Sequence, residues 1–312
     1  MKRPIFVLVG VLLLGCLLTY VLIPTVILVR KSIKVENNQY AIQRSLSDST
    51  KWKQWWPGTI NDNKLFLGDR EYRLTDHSFC SVLLTIMHNN ISLNSTLNSI
   101  AVSRQSVTLD WTVKMNSSYN PYQRLKTYLY ARSISSDFSK VLEAARSHFT
   151  NSESVYGLDI KREIVKNPWL ISTADSSKGY PSSEKVYSLL ATLRAYIANN
   201  NALAVDSPML NIRAIDSTHY VARVAIPTDR KLPSNGKIEY RWMLEGGNIL
   251  SAEIIGGTKK VDIALEAFEK YVQDYELVAP ATPFYSLQTN RLAEKDSSKW
   301  VTKIFYPIMY FK

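Results

Sequence analysis

The chain of 312 residues predicts an α+β protein with two folded units behind an apolar N-terminal segment. Three observations carry that expectation. A helix-plus-strand pattern occurs twice in the second half. Strand-like runs closed by one amphipathic helix fill the first half. An uncharged apolar run covers residues 5–29, bracketed by Lys2, Arg3, Arg30 and Lys31.

At about 1.5 Å of rise per residue, a helix over residues 5–29 would cross a hydrocarbon core of about 30 Å with some tilt. A secretory signal would have a shorter apolar stretch followed by a small-residue cleavage site. Residues 1–31 are therefore expected to form a retained transmembrane helix with its flanks, making the membrane a partner through residues 5–29. Basic residues flank both ends, so the orientation of the two folded units is undetermined.

Residues 32–156 form the first expected unit. An alternating strand is predicted over 33–46, followed by the dense cluster WKQWWPG at 52–58. Further strands are expected over 80–87, 99–107 and 107–115, the last with Leu109, Trp111 and Val113 on one face, and another over 128–134. A helix over 136–149 closes the unit, its stripe of Phe138, Val141, Leu142, Ala145 and Phe149 suited to packing on a sheet. Trp52, Trp55 and Trp56 read either as core or as cavity lining.

Residues 157–312 carry the repeat. A helix over 186–199, Pro208 and a strand over 219–227 are matched by a helix over 262–275, Pro283 and a strand over 299–307. Tyr220 then falls on Trp300, Arg223 on Lys303 and Pro227 on Pro307. Two such units pack around a pseudo-twofold axis, each burying its apolar face, and a cleft at that axis is a natural ligand site.

Composition narrows the function. The net charge is +11, but no block of five or more basic residues occurs, so the charges read as solvated surface and no nucleic-acid partner is expected. Cys16 and Cys80 give no disulfide framework. His77, His88, His148 and His219 match no zinc spacing; neither metal nor cofactor is expected. Gly246-Gly247 and Gly256-Gly257 read as tight turns bracketing a strand.

The order of elements in 32–156, with its short Trp-rich segment ending in Trp-Pro-Gly, resembles the START-like (SRPBCC, polyketide-cyclase-like) superfamily. That resemblance implies a helix-grip fold around a hydrophobic cavity. The second unit resembles the GyrI-like family of small-molecule-binding, bacterial effector-binding domains. The residues that carry it are AIPTDRKLPSNGKIEYRWMLEGGNILSAEIIGG and PFYSLQTNRLAEKDSSKWVTKIFYPI. It implies two helices on an antiparallel sheet, an aromatic pocket between the halves and, with the anchor, a single-pass protein of the bacterial inner membrane. Many members carry a glutamate where this chain has Lys303. With Arg223 at the matching place, two inward cations would repel a cationic ligand by about 4 kcal/mol at 4 Å and a dielectric near 20, and would favour an anionic or carbonyl-rich one. Solvent-facing side chains are the alternative.

The expected function is membrane-anchored binding of a hydrophobic or amphiphilic small molecule. Its candidate ligand-binding residues are Tyr220, Arg223, Trp242, Glu253, Trp300, Lys303 and Tyr306. The alternative is a hydrolase or cyclase, for which Glu253 and Tyr306 are the available acid–base groups.

Overall fold

The computed structural model describes residues 2–61, 64–89 and 91–309, and in the first helix the side chains of residues 10 and 13–22. The chain divides into two compact units, Met1–Val155 and Tyr156–Lys312.

The expected anchor is corrected first. Helix α1 (Lys2–Leu22) ends before Pro24, and strand β1 (Val26–Val35) begins within the same apolar run. Ile23 precedes a proline and is pushed away from helical backbone, and the β-branched Thr25, Val26, Ile27 and Val29 then favour a strand. Ile27, Val29 and Val35 point inward from that strand, which pairs antiparallel with β7 (Ser106–Asn116), Val26 opposite Asn116. Among the described residues no helix is long and apolar enough to cross a membrane. This overturns the expected transmembrane helix and with it the inner-membrane placement; residues 5–9, 11 and 12 of the expected anchor have side chains outside the described set. The buried Arg124 guanidinium closes the end of α1, donating to the carbonyl of Ile23 at 2.8 Å.

The rest of the first unit comprises α2 (Gln39–Leu46), a 3-10 turn (Ser49–Gln54), β2 (Thr59–Asn61), β3 (Lys64–Leu67), β4 (Arg70–His77), β5 (Ser81–His88), β6 (Ile91–Ser103), α3 (Pro121–Thr150) and α4 (Ser152–Tyr156). The seven strands form one antiparallel sheet in the order β1-β7-β6-β5-β4-β3-β2. Two expectations change. The second half of the predicted strand over 33–46 is α2, capped by the Asn38 side chain accepting from the amide of Tyr40 at 2.8 Å. The predicted strand over 128–134 lies inside α3. Its true start is Asn120-Pro121: the asparagine side chain caps the amides of Tyr122 and Gln123, and proline sits in the first turn.

Helix α3 lays a buried stripe, Ala131, Ile134, Phe138, Val141, Leu142, Ala145 and Phe149, into this unit's core. Aromatic rings fill the space there. Phe138 stacks on Trp111 at 4.0 Å, and Trp55 lies 5.4 Å from Phe149 and 4.6 Å from Trp52. Trp56 meets Tyr72 at 5.3 Å and donates its indole N–H to the carbonyl of Phe66 at 3.0 Å. Gly58 is required by that approach, because a Cβ there would stand 1.8 Å from the Phe66 oxygen.

The second unit contains β8 (Lys161–Ile164), β9 (Trp169–Lys178), α5 (Ser183–Asn199), β10 (Met209–Ala214), β11 (His219–Pro227), β12 (Glu239–Trp242), β13 (Asn248–Ile255), α6 (Thr258–Asp274), β14 (Phe284–Leu287) and β15 (Val301–Pro307). Its eight strands are ordered β12-β9-β11-β10-β14-β15-β13-β8. Pairing β8 with β12, β9 with β13, β10 with β14, β11 with β15 and α5 with α6 maps this order onto its own reverse. The pseudo-twofold axis therefore passes between β10 and β14. The first strand of each repeat is exchanged: β12 pairs with β9 of the other repeat, and β8 with β13.

Candidate functional site

Strand alternation divides the side chains of the second sheet between two faces. On one, Ala222, Val224 and Ile226 of β11 pack with Leu190, Leu193 and Ile197 of α5. Ile304 and Tyr306 of β15 take the equivalent place under α6, Tyr306 stacking on Phe268 at 6.0 Å. The opposite face bears no helix from these repeats. Register places Glu239, Ser172, Ala225, Met209, Ser286, Lys303 and Glu253 in one row across it, with Arg223, Asn211, Phe284, Phe305 and Ser251 in the next.

A cleft of about 800 Å³ opens on this second face. Its floor includes Ser172, Ala225, Met209, Asn211, Arg223 and Phe284, and the segment 241–249, residues 280–282 and residues 307–309 contribute to the rest of the lining. Most of these side chains are apolar. Trp242 and Leu244 remain 59% and 62% exposed in the wall, which is apolar surface available to a ligand. Gly246 holds a φ of +71° and Gly247 backs onto the carbonyl of Leu244, 2.8 Å from where a Cβ would stand. That tight turn folds the wall back over the floor.

The structure separates the seven residues expected to form the site. Arg223 and Trp242 line the cleft. Lys303 and Glu253 share the cleft's face of the sheet, opposite each other on β15 and β13, but neither belongs to the lining. Tyr220, Trp300 and Tyr306 have the helix-side parity. Tyr220 meets Tyr180 edge-on at 5.7 Å. The Trp300 indole N–H donates to the carbonyl of Glu294 at 2.9 Å, with the Arg291 guanidinium 4.6 Å over its ring. Tyr306 lies on the helix side of the sheet against Phe268, where burial, reinforced by the nearby Glu269 carboxylate, raises its pKa.

Arg223 and Lys303 both lie on the cleft's face, yet they do not oppose one another. Three strand spacings separate β11 from β15, about 14 Å at about 4.8 Å each, which exceeds the screening length of about 8 Å at physiological salt. Each cation instead meets a glutamate from an exchanged strand. Lys303 Nζ donates to Glu163 Oε1 of β8 at 2.8 Å, and the buried Ser251 hydroxyl donates to the same oxygen at 2.5 Å. Burial, the largest influence on Glu163, pushes its pKa up, but the bonds from Lys303 and Ser251 outweigh it and leave the carboxyl below its ordinary value. Arg223 Nη1 donates to Glu239 Oε2 of β12 at 3.2 Å, and Arg241 Nη2 donates to that oxygen at 2.5 Å. The hydrogen bond from Arg241 is the main cause of a lowered Glu239 pKa.

Glu163, Glu239 and Arg241 escaped sequence reasoning. The signal was present: each repeat opens with a four-residue strand that carries a glutamate and an arginine, KREI in one and EYRW in the other. Extending the repeat upstream would have found both. Which partner each strand takes is a long-range matter that spacing does not encode.

No protein-family model matches the chain, and no curated protein matches it. Among solved structures, the C-terminal domain of EcmrR is similar to 49% of this chain over 99% of its own length, at 11% identity and a TM-score of 0.40. A hydrolase from Listeria innocua covers 48% of this chain and 91% of its own, at 11% identity and a TM-score of 0.36. SAV2435 bound to tetraphenylphosphonium covers 48% and 93%, at 13% identity and a TM-score of 0.32. These are weak likenesses of fold, each to about half of this chain.

Proposed function

We propose that this chain is a small-molecule-binding protein whose second unit, a GyrI-like effector-binding fold, takes a hydrophobic or amphiphilic ligand in the open-face cleft. The carrying observation is the cleft itself, about 800 Å³ with a mainly apolar lining and a few polar groups on its floor. Volumes of about 300–1,000 Å³ with such linings are typical of drug-sized ligand sites. Ser172, Asn211 and Arg223 provide orientation; Trp242, Leu244 and Phe284 provide contact area. The first unit reads as a START-like helix grip, from its antiparallel sheet and the long α3. Its interior is occupied by Trp52, Trp55, Trp56, Tyr72, Trp111, Phe138 and Phe149, so the ligand is assigned to the second unit.

The test is native mass spectrometry of the full chain for a co-purifying small molecule, repeated on Ala225→Trp, which fills the floor. A bound mass that disappears in the variant supports the reading. A mass retained by the variant removes the ligand from this cleft.

A further inference from the structure

The charges beside the cleft are unequally compensated. At the β15 end, Lys303 bonds Glu163, to which Ser251 also donates, and the nearby Lys166 and the Glu253 opposite Lys303 bring the count to two cations and two acids. At the β11 end, two guanidiniums share one carboxylate oxygen: Arg223 and Arg241 both bond Glu239 Oε2. Two cations against one anion leave a surplus positive charge, and both arginines belong to the lining whereas Glu239 does not. The acid of the lining itself, Glu245, is exposed in the turn ending at Gly246 and, among the described residues, forms no ion pair with Arg223 or Arg241, both of which bond Glu239. The guanidiniums thus converge on a point already holding one carboxylate oxygen, beside a floor and wall that are otherwise mostly apolar. Glu239 is itself half-exposed, on the sheet's edge strand. It can move aside without opening the core.

From this geometry, and resting on the small-molecule reading above, we infer that the cleft selects an amphiphile with an anionic oxygen headgroup, a carboxylate or sulfonate. The headgroup seats against Arg223 and Arg241, and the apolar body lies along Ala225, Phe284 and Trp242. Planar guanidiniums suit this task because they present paired N–H donors to such oxygens. The sequence pairing of Arg223 with Lys303 is replaced by one of Arg223 with Arg241. Glu239 acts as the resident counter-ion that an incoming anion competes with.

The probes are octanesulfonate and octyltrimethylammonium, which share an apolar chain and carry headgroups of opposite charge, only the first with oxygens that the guanidiniums can bond. Each is titrated calorimetrically into the full chain, and cleft binding is the component that Ala225→Trp removes. The sulfonate is expected to bind about tenfold tighter or better, the worth of one charge-assisted contact. In Arg223→Gln/Arg241→Gln the two affinities should converge to within about twofold. Glu239→Gln should tighten the sulfonate several-fold, an outcome that a merely structural role for Glu239 would not give, and this readout stands even if Ala225→Trp fails to fold. Equal binding of the two probes, a preference for the ammonium, or a sulfonate affinity unmoved by Glu239→Gln overturns the anion assignment while leaving the cleft a ligand site. Absence of any cleft component for either probe, with Ala225→Trp folded, overturns the small-molecule reading and this inference together.

Discussion

The two units use similar parts to opposite ends. Each lays helices against an antiparallel sheet. In the first, Trp111, Phe138, Trp52 and Phe149 are each under 1% exposed, their space closed by ring-on-ring packing. In the second, the sheet face turned away from α5 and α6 carries a cleft whose wall leaves Trp242 more than half exposed. Aromatic content does not therefore locate a ligand site. Close-packed rings make a core, and only rings left facing a void can contact a guest.

That contrast can be broken most forcefully in the first unit. Trp111→Ala removes a fully buried indole stacked on Phe138, and is expected to cost on the order of 3–5 kcal/mol. Urea unfolding should show the loss in the first-unit transition, while ligand retention by the second unit survives. Lost ligand retention at temperatures where the second unit stays folded would mean that the filled core takes part in binding.

Asp137→Ala is next. Asp137 accepts from Arg70 and from the Tyr72 hydroxyl, the latter at 3.0 Å, and all three side chains are buried. Removing the acid strands a buried guanidinium, a change that typically costs about 3–5 kcal/mol. Burial is the largest cause of a raised Tyr72 pKa, with the Asp137 charge adding to it. A Tm within 2 °C of the wild type's, roughly the shift of a sub-kcal change, would show the pair to be dispensable.

Gly58→Ala should destabilise by more than about 1 kcal/mol, because the added methyl meets the Phe66 carbonyl and the backbone must shift. Calorimetry of the first unit measures it. A neutral result would mean that the Trp56–Phe66 contact is looser than described.

The smallest effect sharpens the second unit. Glu163 and Glu239 have lowered pKa values in the folded chain, so the unfolded state binds their protons more readily in acid. Their contribution is present above the ordinary glutamate pKa near 4.3 and is lost as pH falls through the lower folded values. Glu163→Gln should flatten the acid limb of the second unit's stability between about pH 5 and 3. An unchanged slope would mean the Lys303 contact does not hold in solution.

The repeat was legible because its markers are local: the stripes of α5 and α6, Pro208 and Pro283 just before the central strands, and the matching Pro227 and Pro307. The first half of α3 was misread because Tyr128 and Tyr130 favour strands, while the decisive Asn120-Pro121 cap lies eight and seven residues upstream of Tyr128. The N-terminal run was misread as one span because apolar composition suits a helix and a buried strand alike. Pairing with β7 decided for the strand over Val26–Val35. Within the site, Arg223 and Trp242 could be picked from the repeat and from alternation, but their distribution against Tyr220, Trp300 and Tyr306 could not.

By itself the sequence determined the α+β class, the two helix-and-strand repeats with their aligned cations, and the amphipathic stripe that closes the first unit. These follow from short-range periodicity, where each residue's chemistry and its nearest neighbours suffice. Only the tertiary structure decided the exchange of β8 and β12, the glutamates they bring to Lys303 and Arg223, and the face each candidate occupies. A strand's partner lies far along the chain, and a one-residue change of register sends every side chain to the other side of the sheet.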